Sequence, residues 1–545
     1  MKNSAKANKR LEHGGFTSKL LLGVAAICVF TLGSVLTASA NVRPIALIES
    51  GVVIGLTVDG VNEFLGIPYA APPVGARRWK PPKPYGLFPG FLLQATKFGS
   101  ECTQAGGGSE DCLFLNVYTP QSELSDGVGS GLPVMVWIHG GSLTGGSSNP
   151  YDPKRLVKQG VIVVTINYRL GYLGFFAQSA IDAEGHLNGN YGFMDQQFAL
   201  QWVRRNIAGF GGDPDRVTIF GESAGGQSVY AQLASPLAAG LFQGAIAESG
   251  SYLEFQDYFF FIVTLAEGET TGSEGVPSGA AIADSVGCAS QKASCLRAVP
   301  ASTMIAGEAS PVYPFVDGTL LTQPISAAFA TGEFNQVPVI SGTNHDEYRL
   351  FVADEYDFVG HPILTSAEYD AAVNALWGGL EPDVLALYPF ASYSFGGEAL
   401  GASGTDGIFS CPARNADQLL SKFVTTYAYE FNDENAPPPQ SAFGGLLTFP
   451  LGAYHTSELQ YLFKGVNFFG IPAAPLLPKQ VRLSNAMVSY WTQFAKTGDP
   501  NSSGEPVWSP YSTSTDEFQS FIPPTPVVES NFASGHQCTT FWDTF

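Results

Sequence analysis

Positive charge is scarce in this chain: Lys and Arg number 27 against 48 Asp and Glu, which gives a formal net charge of −21 over 545 residues. Binding to nucleic acid or to an anionic membrane surface requires a basic footprint that neutralises phosphate groups. The composition therefore argues against both kinds of partner. The acidity itself favours solubility and does not identify a substrate.

Long hydrophobic runs are missing beyond residue 40, so no later segment is predicted to cross a bilayer. The N-terminus differs. Its basic residues up to Lys19 precede an apolar run from Leu20 to Leu36, and Ala38-Ser39-Ala40 follows. This is the pattern of a cleavable secretory signal. We expect cleavage after Ala40, a secreted or periplasmic protein, and one domain over residues 41–545. An uncleaved N-terminal anchor is the alternative.

Cysteines are few, and none lies in a Cys-x-x-Cys or histidine-rich pattern, so no metal site is predicted. Of the seven cysteines, Cys28 falls in the signal segment. Six cysteines permit fifteen pairings. Short spacing favours Cys102 with Cys112 and Cys288 with Cys295, which leaves Cys411 with Cys538 to tie down the C-terminal tail. Reduced thiols of a cytosolic enzyme are the alternative, and the signal argues against it.

Apolar residues, at 45% of the chain, supply a large core and exclude disorder. Short apolar runs alternate with segments of helical spacing. The predicted strands are Asp111 to Tyr118, Pro133 to Ile138, Val161 to Ile166, Ala245 to Ala247, Val337 to Ile340 and Val424 to Phe431. The predicted helices are Phe198 to Ile207, Gln227 to Ala234 and Val481 to Lys496. This alternation predicts an α/β fold with a mostly parallel sheet covered by helices on both faces.

Two expectations concern the N-terminal part of the mature chain. Val42 to Leu65 alternates like short strands and predicts a small N-terminal sheet. The proline-containing stretch from Gly66 to Gly75 is expected to wrap the surface, because proline cannot donate to a central ladder.

The pentapeptide Gly221-Glu222-Ser223-Ala224-Gly225 is a Gly-x-Ser-x-Gly pattern between a β-rich run and a helix-compatible segment. Strand, sharp turn and helix are the context of a nucleophile elbow, in which the serine is exposed on a strained turn. A side chain at either glycine would collide with the strand or the helix. A plain Gly/Ser turn would be the interpretation if the pentapeptide stood alone.

An acyl-transfer serine requires backbone N–H groups that face the developing oxyanion. The N–H of Ala224 directly follows the nucleophile. The turn His139-Gly140-Gly141-Ser142 ends the strand Pro133 to Ile138 and resembles an HGGG-type oxyanion turn. Gly141, Ser142 and Ala224 are therefore the expected donors, and packing is the expected task of His139.

The base and the acid should follow the serine in the order Asp or Glu, then His. Spacing leaves His361, His455 and His536 as bases, with His455 favoured by its loop after a strand. Asp346 and Glu347 both follow a predicted strand end, and spacing does not separate them.

Several blocks together resemble the type-B carboxylesterase family of α/β-hydrolases, and the resemblance covers nearly the whole mature chain. These blocks are Phe64 to Ala70, Ser109 to Asn116, Asn167 to Gly171, Asn190 to Gln196 and Phe210 to Gly226. The resemblance implies an α/β-hydrolase fold and a Ser-Glu-His triad of Ser223, Glu347 and His455, with no cofactor. Gly141, Ser142 and Ala224 would form the oxyanion hole. The family's disulfides match the three pairs above.

Glu222 and Ser249 are expected to support the triad, Ser249 by holding the acid; a strand-end turn is the alternative for Ser249. The chain departs from the family at Ser142, where relatives carry Gly or Ala, and this narrows the oxyanion hole. The nine residues between Cys102 and Cys112 contain no aromatic residue. They therefore lack the tryptophan of choline-ester hydrolases and the long lid of fungal lipases.

The expected substrate is a small ester with a short to medium acyl or an aryl group. The alternatives are a lipase, an amide or carbamate hydrolase with the same triad, and a non-catalytic adhesion protein. The apolar segment from Tyr252 to Leu265 either lines the acyl pocket or is a packed helix. The sequence does not predict the oligomeric state.

Overall fold

A computed structural model of the chain describes residues 43–124, 131–251, 263–272, 277–307, 312–438, 446–468, 471–472 and 474–544. The predicted signal, residues 1–40, lies outside this part, as does most of the segment from Tyr252 to Leu265. The described residues belong to one compact unit that begins at Arg43. None of their helices combines the length and apolarity that crossing a membrane would require.

The strands of the described residues are short, except at the predicted elbow. They are β1 (Ile45–Ile48), β2 (Gly51–Ile54), β3 (Leu56–Val58), β4 (Val61–Pro68), β5 (Leu92–Gln94), β6 (Phe114–Pro120), β7 (Leu132–Ile138), β8 (Ile162–Ile166), β9 (Phe175–Phe176), β10 (Gly189–Asn190), β11 (Gly212–Glu222), β12 (Gly244–Glu248), β13 (Val263–Thr264), β14 (Phe315–Val316), β15 (Val339–Asn344), β16 (Thr426–Phe431), β17 (Asn467–Phe468), β18 (Ile471–Pro472), β19 (Phe518–Phe521) and β20 (Val527–Glu529).

Helices fill most of the connections. They are α1 (Lys154–Val157), α2 (Gly171–Gly174), α3 (Ser179–Asp182), α4 (Tyr191–Asn206), α5 (Ala224–Ala234), α6 (Leu265–Thr270), α7 (Gly279–Ser285), α8 (Ala293–Ala298), α9 (Ala301–Ala306), α10 (Ile325–Thr331), α11 (Arg349–Val352), α12 (Ser366–Trp377), α13 (Glu381–Leu387), α14 (Gly396–Gly404), α15 (Cys411–Leu420), α16 (Leu459–Leu462), α17 (Pro478–Thr497) and α18 (Phe532–Gly535).

One eleven-stranded sheet organises the molecule, in the order β20-β19-β16-β15-β12-β11-β7-β8-β6-β4-β3. The strands from β19 to β8 in this order are parallel. The strands at both ends pair antiparallel. The elbow strand β11 lies between β12 and β7, in the middle of the sheet. The predicted mostly parallel sheet is confirmed.

The continuous apolar run of β7 is explained by burial on both faces. Val134, Val136 and Ile138 pack into one core cluster, together with residues of α4 and α5. Met135 and Trp137 point the other way, into a second cluster with residues of α12 and α17. A parallel strand covered by helices on both faces has no solvent-facing side, so its sequence does not alternate.

The expectations for the N-terminal part are only partly right. A small sheet exists, formed by β1, β2 and β5, but β3 and β4 join the main sheet. The stretch from Gly66 to Pro68 is in β4, and Ile67 is fully buried. The surface prediction was wrong there because Gly66 adopts φ 71° and lets the strand bulge between Phe64 and Ile67, so the ladder with β6 resumes before the proline.

All three predicted disulfides are present: Cys102 with Cys112, Cys288 with Cys295, and Cys411 with Cys538. The third joins the start of α15 to the C-terminal tail. It holds the tail against the carboxyl end of the sheet, where β15 and β16 deliver their loops.

Candidate functional site

Ser223 occupies the sharp turn between β11 and α5, with φ 57° and ψ −126°. This backbone conformation is strained for a residue with a side chain and persists only where its surroundings enforce it. Here the N–H of Ser223 donates to the carbonyl of Glu248 at 2.9 Å. Ser223 is half-buried while its neighbours are buried, so its side chain has access to solvent.

The glycines flanking Ser223 have no room for a side chain. A Cβ at Gly221 would lie 2.6 Å from the backbone of Gly225, and one at Gly225 would lie 2.0 Å from the carbonyl oxygen of Ile138. The backbones of β7, β11 and α5 therefore pack against one another at the turn. This is the reason for the Gly-x-Ser-x-Gly pattern.

The turn after β7 lies beside Ser223. A Cβ at Gly140 would be 3.0 Å from Cβ of Ser223. Gly141 and Ser142 follow with φ of 106° and 54°, and both are exposed. Among the described residues no backbone acceptor is paired with their N–H groups. The N–H of Ala224, at the first position of α5, has no partner within the helix. These are the three expected oxyanion donors.

Gln104, a residue not predicted from the sequence, fixes this turn from the Cys102–Cys112 loop. Its side-chain oxygen accepts from the N–H of Gly146 at 2.8 Å, and its side-chain nitrogen donates to the carbonyl of the same residue at 2.9 Å. Its position in a short disulfide loop was the available signal. The loop thus anchors the turn that carries the expected oxyanion donors.

His455 and Glu347 are brought together from loops that are distant in the sequence. Nδ1 of His455 lies 2.6 Å from Oε2 of Glu347, and both side chains are buried. Nε2 of His455 lies 3.2 Å from Oε1 of Glu222, the residue that precedes Ser223. The imidazole therefore has the carboxylate of Glu347 at one nitrogen and a residue of the elbow at the other.

Glu347 is held in place by its own strand end. Its Oε1 accepts from Oγ1 of Thr343 and from the N–H of Asn344, both at 2.8 Å. Ser249, for which this task was expected, has a buried Oγ with no hydrogen-bond partner among the described residues. Thr343 takes the role because its hydroxyl lies on β15, directly before the loop of Glu347.

Asp346, the other candidate acid, points away from His455. Its Oδ1 pairs with Arg349 at 2.9 Å, and its Oδ2 accepts from the N–H of Ala453 at 2.8 Å. It therefore fastens the loop of His455 to the loop of Glu347. Adjacent residues project in different directions, which is why spacing did not separate these two acids.

The other histidines have different environments. His139 stacks on Tyr168, and burial lowers its pKa to about 4, in agreement with a packing role. His361 is exposed. His536 lies between two carboxylates, 2.6 Å from Asp406 and 2.5 Å from Glu430. Burial opposes its charge, but the two carboxylates outweigh burial and raise the pKa of His536 to about 10.

Three buried glutamates form a group that reaches His455 through Glu222. The group consists of Glu222, Glu248 and Glu458, and each is almost fully inaccessible to solvent. Burial, and then the charges of neighbouring glutamates, raise the pKa of Glu222 and of Glu458 well above the ordinary value. Burial raises the pKa of Glu248 to about 8, although Trp491 donates to it. Their uncharged forms are therefore favoured at neutral pH.

Two phenylalanine rings flank the imidazole of His455, and sequence reasoning gave no signal for either. The ring centroids of Phe351 and Phe409 lie 5.0 and 5.2 Å from that of His455. They are delivered by α11 and by the π-helical turn Thr405–Ser410. Their apolar surface limits the access of water to the histidine.

The model of the family described as "Carboxylesterase family" matches residues 42–539. The chain is 35% identical over 481 residues to a para-nitrobenzyl esterase of Bacillus subtilis, which covers 83% of this chain and 90% of the relative. It is 33% identical over 517 residues to a human cocaine esterase, covering 86% of each. A fumonisin B1 esterase of Sphingopyxis macrogoltabida is 34% identical over 480 residues, covering 84% of this chain and 83% of the relative.

Solved structures agree. A PNB esterase superposes with a TM-score of 0.73 at 31% identity, covering 92% of this chain and all of the other. A thermophilic PNB esterase gives a TM-score of 0.74 at 31% identity, covering 91% of this chain and 99% of the other.

Proposed function

Because the chain belongs to the carboxylesterase family, and is thus a carboxylic ester hydrolase with the α/β-hydrolase fold, we propose that its reaction runs through Ser223, His455 and Glu347. The observation that carries this proposal is the position of His455, between Glu347 at Nδ1 and the elbow at Nε2. A general base needs one nitrogen oriented by an acid and the other facing the nucleophile.

The proposed reaction has two halves. Ser223 attacks the ester carbonyl while His455 accepts its proton, and collapse of the tetrahedral intermediate releases the alcohol and leaves an acyl-enzyme. Water activated by the same histidine then releases the acid. Glu347, itself fixed by Thr343 and Asn344, keeps the imidazole in one tautomer and stabilises its cation. No cofactor takes part.

The N–H groups of Gly141, Ser142 and Ala224 are proposed to bind the oxyanion. Support comes from the close approach of Gly140 to Ser223, where a Cβ added to the glycine would lie 3.0 Å from Cβ of the serine. Preorganised donors of this kind each contribute about 3 kcal/mol to transition-state stabilisation. The exposed Ser142 adds a hydroxymethyl group at the mouth of the hole.

For the substrate, we propose small soluble esters with a short to medium acyl or an aryl group. The Cys102–Cys112 loop is short and has no aromatic residue, and its Gln104 binds the turn after β7. It therefore provides neither a lid for a lipid surface nor an aromatic face for a quaternary ammonium.

Export is proposed with cleavage after Ala40, which would leave one hydrolase domain from residue 41. Three disulfides support an oxidising compartment. Sequencing the N-terminus of the protein recovered from the medium or periplasm would test the position of the cut.

Labelling with a fluorophosphonate tests the triad. Wild-type protein should be labelled at Ser223, and Ser223→Ala should lose the label and at least about 1,000-fold in kcat. Ser228→Ala, which changes a buried serine of α5 one turn away, is the matched control and keeps the label. A folded Ser223→Ala protein that hydrolyses esters at the wild-type rate would refute the proposal.

The substrate class has its own test. A series of p-nitrophenyl esters of increasing chain length, beside anilides and an emulsified triglyceride, should show the highest kcat/KM for the shorter soluble esters. Preference for the emulsion or for the anilides would overturn the substrate proposal and leave the triad proposal intact.

A further inference from the structure

A cluster of two histidines and a glutamate lies near the proposed triad and has no part in the proposed reaction. His345, Glu430 and His536 each offer one ligand atom, and these atoms lie within 4.8 Å of one another. Two imidazoles and a carboxylate are a ligand set typical of zinc in proteins. The sequence predicted no metal at this place because neighbouring members of the set are 85 and 106 positions apart and only the fold brings them together.

The topology explains how the cluster forms. His345 directly follows β15, Glu430 is in β16, and these neighbouring parallel strands pair Asn344 with Phe431. The N–H of His345 donates to the carbonyl of Phe431 at 3.0 Å, which continues the pairing. His536 comes from the C-terminal tail, which the Cys411–Cys538 disulfide fastens to the same end of the sheet.

The polar groups behind the cluster orient its members. Asp406 binds Nδ1 of His536 at 2.6 Å, so Nε2 points at Glu430. Asn432 donates to Oε2 of Glu430 at 2.7 Å, so Oε1 faces the histidine. A carboxylate on the far nitrogen of a histidine is the usual support of a metal ligand. His345 Nδ1 is buried and lies 3.3 Å from Oδ1 of Asp346, an oxygen that also pairs with Arg349 at 2.9 Å. A metal ion would therefore take Nδ1 of His345 from a carboxylate that keeps Arg349 as its partner.

We propose that His345, Glu430 and His536 bind one divalent transition-metal ion of the zinc class. Ligand atoms about 2.1 Å from a tetrahedral Zn²⁺ lie about 3.4 Å apart, so small side-chain movements suffice. The ion replaces the proton that His536 shares with Glu430, and that proton passes to solvent. His345 is half-buried, which gives the ion a route of entry and leaves a coordination position for water. The bound ion joins the loop of Glu347 to β16 and to the C-terminal tail.

The test uses the full mature chain without a histidine tag, cleared of metal with a chelator. Titration with Co²⁺ should produce visible d–d absorption that saturates at one ion per chain, and Zn²⁺ should displace it and raise Tm. His345→Ala and His536→Gln should each weaken Zn²⁺ binding more than about tenfold, and Asp406→Asn should weaken it about 10- to 100-fold.

His361→Ala removes an exposed imidazole outside the cluster and should bind as the wild type does. If His536→Gln does not fold, the result for His345→Ala tests the proposal. The side chain of His345 is only half-buried, so its removal should leave the fold intact. Absence of saturable Co²⁺ absorption, or equal binding by wild type and His345→Ala, would overturn the proposal and leave the Asp406-His536-Glu430 contact as a structural ion group.

Discussion

Glu222 lies next to Ser223 in the chain, yet its carboxyl group is buried and its pKa is raised. It is buried beside three other glutamates, and its Oε1 is 3.2 Å from Nε2 of His455 without the alignment of a hydrogen bond. Because its raised pKa favours the uncharged carboxyl, it can limit the movement of the imidazole without competing for its proton.

Two substitutions of Glu222 should show whether the reaction depends on the size of this side chain or on a negative charge at this position. Glu222→Gln keeps the size and neutrality of the protonated carboxyl, so we expect about a threefold loss of kcat/KM. Glu222→Ala leaves a cavity beside Nε2 and should lose about 100-fold, mainly in kcat, since a misplaced base has effects of this order. Equal losses in the two variants would mean that the reaction requires a charged carboxylate at this position.

The raised pKa of Glu248 should make the free energy of unfolding depend on pH. Its pKa is about 8 in the folded protein and 4.5 as the reference for the unfolded chain. A pKa that is higher in the folded protein stabilises the fold at any pH below the pKa of the unfolded chain. This contribution is lost as the pH rises towards the pKa of the folded protein. Relative to Glu248→Gln, wild type should therefore lose stability between pH 4.5 and 8, by an amount on the order of 4 kcal/mol.

Urea unfolding at a series of pH values measures this difference. Glu184→Gln is a control of opposite sign: hydrogen bonding from Arg297 lowers the pKa of Glu184 to about 2, so its difference from wild type should change only below about pH 4.5. A constant difference between wild type and Glu248→Gln over pH 5 to 8 would contradict the raised pKa.

At the scale of elements, the proposed oxyanion turn is held by the Cys102–Cys112 loop, through the two hydrogen bonds between Gln104 and Gly146. Gln104→Ala removes both hydrogen bonds to Gly146. At about 1 kcal/mol each, their loss should lower kcat/KM by up to about 30-fold and slow fluorophosphonate labelling by a similar factor. Gln159→Ala, at an exposed glutamine after α1, should leave both rates unchanged. Wild-type labelling rates in Gln104→Ala would mean that the turn holds its own shape.

At the scale of the whole molecule, the third disulfide closes a much longer loop than the other two. Cys411 and Cys538 are 127 positions apart, whereas Cys288 and Cys295 are 7 apart. Because stabilisation grows with the loop that is closed, we expect Cys411→Ser/Cys538→Ser to lose about 4 to 5 kcal/mol and Cys288→Ser/Cys295→Ser about 2 to 3 kcal/mol. Guanidinium unfolding of the two double variants compares them, and a larger loss for the shorter loop would contradict this.

The sequence by itself determined the buried strands, the elbow and the two short disulfides, because each depends on residues close together in the chain. The pair Cys411 with Cys538, 127 positions apart, followed only as the remainder. An apolar run such as that of β7 needs cover on both faces, Gly221 and Gly225 need the space of a hydrogen, and short cysteine spacing limits the pairings. The resemblance to the family then predicted Ser223, Glu347 and His455 as the triad.

Only the tertiary structure decided matters of direction and of distant contact. Asp346 and Glu347 are neighbours, yet one faces Arg349 and the other His455, since successive side chains leave the backbone in different directions. The group of buried glutamates and the cluster of His345, Glu430 and His536 unite segments that share no local pattern. Their burial and charge arise where parallel strands end side by side, and no window of sequence contains that information.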